Sequence, residues 1–154
     1  NPVTEVVAVD QSAPALEWLR RDAQENGISN IKTLKSHVFD YLEEAEKNGE
    51  KFDTILLDPP AFAKSRKDVD SAKRGYREIL KRACRVLAPE GRLLFCSCSF
   101  HLTPEFFRQV LADGLSESGS AFRVLREGGA SPDHPVRVGF PESQYLKAIW
   151  LQRS

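Results

Sequence analysis

Phe52-Asp53-Thr54-Ile55-Leu56-Leu57-Asp58-Pro59-Pro60 is the stretch on which the fold turns. Its apolar run is long enough for a buried strand and too short for a buried helix. It then stops on a carboxylate and two prolines. Neither proline has an amide donor and each fixes its own φ, so the strand ends and its exit is stiff. A strand of this kind belongs to a sheet, and the flanking sequence offers further strands.

Upstream, Glu5-Val6-Val7-Ala8-Val9-Asp10 is a β-branched run suited to a buried strand. Ser12 caps the helix that follows, with Leu16, Leu19 and Ala23 as its stripe and Gly27 at its end. Residues 31–39 read as a second strand. Asp40 then caps a short acidic helix that stops at Asn48-Gly49. Downstream, a polar loop covers residues 61–70. A long helix runs over residues 71–87, with Ile79, Leu80, Ala83, Val86 and Leu87 inward. Pro89-Glu90-Gly91 breaks it, and residues 92–96 make a fourth strand. Thr103-Pro104-Glu105 opens another helix, striped by Phe106, Phe107, Val110, Leu111 and Leu115. Residues 122–126 and 146–152 are two closing strands, separated by a Gly-, Pro- and Ser-rich segment. Strands alternating with helices predict an α/β fold: a Rossmann-like, mainly parallel sheet with helices on both faces. No repeat or second domain is visible in the 154 residues.

Composition narrows the classes. The 22 basic and 22 acidic residues cancel, so there is no global electrostatic pull on nucleic acid. No apolar run approaches the roughly 20 residues of a membrane span, and no secretory signal opens the chain. Three cysteines do not make a disulfide framework and suit a reducing, cytoplasmic setting. The chain begins with Asn1 and contains no Met, which suggests a fragment.

Ligands of such sheets bind at the carboxyl ends of the strands. Four segments fall there: Asp10-Gln11, residues 37–40, Asp58-Pro59-Pro60 and Ser97-Cys98-Ser99. A carboxylate at Asp10 can grip both hydroxyls of a ribose, or it can simply begin a helix. Asp58 sits on a stiffened corner where a carboxylate can meet a flat substrate; otherwise it is an ordinary strand exit. Cys84 and Cys96 read as small buried residues. Cys98, between two hydroxyl residues at the ligand edge, is either the same or a thiolate nucleophile. Residues 64–85 carry nine basic and three acidic side chains, whereas four of the eight residues 43–50 are acidic. The basic stretch either grips phosphates or is a solvated helix face with pairs such as Glu78 with Arg82. His101 and His134 receive no role.

In combination these segments resemble the carboxyl-terminal catalytic part of the large-subunit ribosomal RNA cytosine-C5 methyltransferases. The resemblance rests on Val7-Ala8-Val9-Asp10-Gln11-Ser12 and on the run from Phe52 through Asp58-Pro59-Pro60-Ala61-Phe62-Ala63-Lys64-Ser65. It continues through Gly75-Tyr76, Ala88-Pro89-Glu90-Gly91, Ser97-Cys98-Ser99, Asp133-His134-Pro135 and Tyr145-Leu146-Lys147. It implies a class I fold, S-adenosyl-L-methionine as cofactor and ribosomal RNA as substrate. Asp10, Gln11, His37, Val38 and Asp58 would bind the cofactor, with Asp10 on the ribose and His37-Val38 at the adenine turn. His37 stands where the family usually has Asp or Asn, so the backbone of Val38 is the expected contact. Cys98 would be the nucleophile, and Asp58 would also face the target cytosine.

The family's glycine-rich strand would precede Asp10 and is not in this sequence. The expectation is therefore a partial catalytic domain over residues 1–154. It would bind cofactor weakly and be inactive by itself, with open sheet edges that invite a homodimer. Two alternatives stand beside this reading. One is a class I methyltransferase acting on an exocyclic nitrogen, whose Asp-Pro-Pro corner would be followed at once by an aromatic residue; here Ala61 intervenes before Phe62. The other is a non-catalytic RNA-binding module of the same fold.

Overall fold

The computed structural model describes residues 3–62, 67 and 69–154. The chain divides into two compact units, Asn1–Asn48 and Gly49–Ser154, each with its own sheet.

In the first unit, β1 (Val6–Asp10) is followed by α1 (Ala13–Glu25), β2 (Ile31–Lys35) and α2 (Val38–Lys47). The two strands run parallel, in register from Val6 opposite Ile31 to Asp10 opposite Lys35. Ser12 caps α1, its side chain accepting from the Ala15 N–H at 3.3 Å, and Leu16 and Ala23 are buried. Gly27 has φ +66°, the left-handed conformation that lets the chain leave α1 for β2. The second helix corrects the sequence reading. His37, not Asp40, is its cap: the ring Nδ1 accepts from the Phe39 N–H at 3.3 Å. The turn this requires also ends β2 at Lys35. Asp40 lies inside the first turn, where a carboxylate still complements the helix dipole.

The second unit contains β3 (Phe52–Leu57), α3 (Val69–Val86), β4 (Leu87–Ser97), α4 (Pro104–Glu117), β5 (Phe122–Gly128) and β6 (Lys147–Arg153). The strand order is β3-β4-β6-β5. β3 and β4 are parallel, and β6 is antiparallel to both β4 and β5, so three of these four strands share one direction. Here too one boundary differs. Pro89-Glu90-Gly91 does not separate helix from strand but bulges within β4, where pairing jumps from Phe52–Leu87 to Thr54–Arg92. Glu90 takes φ +58°, and a Cβ on Gly91 would lie 2.8 Å from the Ala88 carbonyl oxygen.

The core of this unit is built from Ile79, Leu80 and Ala83 of α3, Leu93 and Phe95 of β4, and Phe107 and Val110 of α4. Phe95 and Phe107 stack with centroids 5.1 Å apart. α4 approaches α3 closely at Gly114, whose missing Cβ would meet Leu80 at 3.1 Å. Lys73–Asp113 and Arg77–Glu117 ion pairs join the same two helices. Among the described residues, β1 pairs only with β2, and β3 only with β4.

Candidate active site

Parallel pairing makes the ends of β3 and β4 level: Leu57 lies opposite Phe95. Asp58 therefore leaves β3 level with Cys96, and Cys98 follows one residue past the end of β4. Asp58 is exposed and Pro59 beside it is buried, which anchors the stiff corner. Burial alternates along the end of β4 and beyond it. Leu93, Phe95, Ser97 and Ser99 are buried, while Leu94, Cys96 and Cys98 are half-buried. Cys98 lies one residue past the strand, where its thiol can be reached.

The two neighbouring cysteines differ in chemistry. The Cys96 thiol is pushed up to about 11, chiefly by burial and then by the negative charges of Asp58 and Cys98. It stays protonated near neutral pH and is a poor nucleophile. Cys84 is buried in α3, and burial raises its thiol as well.

The turn carrying Cys98 is held from inside the core. Tyr76 of α3 is fully buried, and its hydroxyl bonds to Ser97 Oγ at 3.0 Å and Ser99 Oγ at 3.1 Å. The Ser99 N–H also donates to Ser97 Oγ at 3.3 Å. The Tyr76 ring meets Phe95 edge-on at 5.7 Å and Phe62 at 4.8 Å. Gly75 makes room for that loop, since a Cβ there would stand 3.3 Å from the Phe62 ring. The end of β4 and the loop after β3 thus share one anchor. Local sequence could not reveal it, because Tyr76 lies 21 and 23 residues from its serine partners.

The first unit places the remaining candidates at the ends of β1 and β2. Asp10 Oδ1 accepts from the Ser12 N–H at 2.7 Å, which fixes the exposed carboxylate, and its second oxygen is available to a ligand hydroxyl. The Ser36 N–H donates to the Asp10 carbonyl at 3.1 Å and ties the two strand ends together. Gln11 is exposed and Val38 half-buried. The His37 ring is occupied as the α2 cap and stacks on Phe39 at 5.3 Å. His101 packs against Phe100, and His134 sits beside Asp133 at 3.3 Å with both exposed. Of the basic stretch, Lys73, Arg77 and Arg82 are engaged with Asp113, Glu117 and Glu78. Ala63, Lys64, Ser65, Arg66 and Asp68 lie outside the described residues.

A parallel strand pair with a carboxylate past one end and a half-buried thiol past the other is the candidate site. The chain belongs to the methyltransferase domain family, whose model matches residues 1–130. Its fold is the Rossmann-like fold of class I methyltransferases, which use S-adenosyl-L-methionine as methyl donor. A solved structure, SMU.776, a candidate methyltransferase complexed with SAH, superposes with a TM-score of 0.84 at 20% identity, over 97% of this chain and 39% of that one.

Among curated relatives, ribosomal RNA large subunit methyltransferase I of Aeromonas salmonicida is 41% identical over 147 residues, covering 94% of this chain and 37% of its own length. The protein of the same name from Tolumonas auensis is 40% identical with the same coverage. The chain thus spans little more than a third of the curated relatives it matches. Among the described residues, no helix is long and apolar enough to cross a membrane.

Proposed function

We propose that this chain is part of an S-adenosyl-L-methionine-dependent enzyme that forms 5-methylcytosine in large-subunit ribosomal RNA through a covalent cysteine adduct. The observation that carries the reading is the pairing of Asp58 and Cys98 on adjacent strand ends, with the competing thiol of Cys96 held protonated. The names of the relatives support the substrate. The residues present suit the cofactor. The oriented carboxylate of Asp10 would hold its ribose hydroxyls, with Gln11 and the Val38 backbone following at the same strand ends. When bound, S-adenosyl-L-methionine supplies an electrophilic methyl group.

The residues' own work follows from the base. Carbon 5 of cytosine is a weak nucleophile. Addition of the Cys98 sulfur to carbon 6 makes carbon 5 enamine-like and able to take the methyl group. Asp58 would hydrogen-bond the base near nitrogen 3, accepting from the exocyclic amino group, and hold the ring in place for the addition. Loss of the carbon-5 proton to a base then breaks the carbon–sulfur bond and releases the thiol. The target cytosine must be unpaired or flipped out to reach Cys98.

The alternative of exocyclic-nitrogen chemistry lacks its aromatic platform. Ala61 stands between the Asp58-Pro59-Pro60 corner and Phe62, whose half-buried ring packs against Tyr76. A Cys98→Ala substitution in the complete enzyme tests the proposal. Methylation of RNA is expected to vanish while calorimetric cofactor binding persists, and full turnover by that variant would sink it.

A further inference from the structure

Lys147 is a charge where the strand pattern calls for an apolar side chain. It opens β6 in alternation with Ile149 and Leu151, both buried, and it pairs in register with Ser97. Only 8% of it is exposed. Among the described residues no carboxylate pairs with it; its ammonium instead donates to the Ser99 carbonyl and to the Tyr145 carbonyl, each at 2.7 Å. Burial lowers the affinity of this amine for its proton, and the neighbouring Cys98 charge opposes that effect. A buried ammonium is costly to desolvate, and an apolar residue would fill the same position more cheaply. The charge is thus placed against the turn that carries Cys98, 48 residues away from Ser99 in sequence.

We propose that Lys147 is a positioning residue for Cys98: its ammonium pins the carbonyl of Ser99, one residue past the thiol, to the start of β6 and so brings a positive charge to the turn that carries the sulfur. With Tyr76 holding both serine hydroxyls, the turn is fixed from two sides. The positive charge stabilises the negative charge that the sulfur bears as it attacks, as cations beside reactive thiols do. The inference rests on the reading of Cys98 as nucleophile, but its test needs no methyl transfer.

The full chain is treated with iodoacetamide near neutral pH, and the alkylation rate at Cys98 is resolved from that at Cys96 and Cys84 by peptide mass spectrometry. Lys147→Met should slow Cys98 alkylation by about tenfold, and Lys147→Arg, which keeps the charge, should stay within about threefold of the unmodified chain. Cys84 should remain protected in both, which separates loss of charge from loss of fold. An unchanged or faster rate at Cys98 in Lys147→Met, or equal losses in Met and Arg variants, would overturn the proposal.

Should Lys147→Met not fold, the unmodified chain decides. Its Cys98 must alkylate faster than the same cysteine in a free peptide spanning residues 92–103, and a slower reaction overturns the inference. If methylation instead survives in Cys98→Ala, the nucleophile reading fails, while the effect of Lys147 on the thiol is still measured.

Discussion

The Tyr76 hydroxyl is the single atom that ties α3 to both serines flanking Cys98. In Tyr76→Phe, two buried serine hydroxyls lose that partner. The expected cost is about 1–3 kcal/mol of stability, the usual range when buried polar groups are left short of a hydrogen bond. Thermal melting of the variant measures it, and an unshifted midpoint contradicts the anchoring role. Thiol chemistry gives a second expectation. With Cys96 pushed up to about 11, iodoacetamide near neutral pH should label Cys98 well before Cys96. Equal labelling of the two would show that burial and Asp58 do not protect Cys96. The strand-end positions of Asp58 and Cys98 were legible in the sequence because both follow short apolar runs. Tyr76 and Lys147 stood in segments that resembled the family, yet nothing local gave them a task. Their partners lie across the fold, where neither periodicity nor capping signals reach.

At the scale of elements, the strand–helix alternation was readable throughout, since each helix carries its stripe and most carry their caps. Ser12 and Thr103 cap α1 and α4 as the sequence suggests, each with a proline in the first turn. The boundaries that shifted have specific causes. An aspartate is the commoner cap, so the sequence pattern favours Asp40, whereas it is the ring Nδ1 of His37 that accepts from the Phe39 N–H. Pro89-Glu90-Gly91 has the composition of a helix-to-strand turn, and composition does not distinguish a turn from a bulge inside a strand. The bulge makes its own prediction. Gly91→Ala would drive a Cβ to 2.8 Å from the Ala88 carbonyl oxygen. Backbone must shift to accept it, and a loss on the order of 1–3 kcal/mol is expected in denaturant titration. A variant as stable as the parent would mean that Glu90 and its neighbours relax without cost.

For the whole molecule, the chain covers 37% of the length of its curated relatives, and its described sheets leave β1 and β3 each with one partner. Leu56, next to last in β3, is 63% exposed. Unpaired strands with exposed apolar side chains recruit further strands. The chain by itself is therefore expected to self-associate in sedimentation at micromolar concentration, and Leu56→Lys to weaken that association. A strictly monomeric parent chain would contradict this. The zero net charge averages an acidic α2 against a basic α3 whose cations Lys73, Arg77 and Arg82 are engaged in ion pairs. Affinity for RNA is thus expected to come less from this helix than its composition suggests.

On the proposed mechanism, Cys98 bonds to carbon 6 of a cytosine during methyl transfer. RNA carrying 5-fluorocytosine tests it most directly, because fluorine replaces the carbon-5 proton whose removal would release the thiol. Incubated with the complete enzyme and S-adenosyl-L-methionine, it should yield a denaturation-resistant protein–RNA adduct that mass spectrometry assigns to Cys98. Methylation of ordinary RNA without any such adduct, or an adduct that persists in Cys98→Ala, would contradict the account.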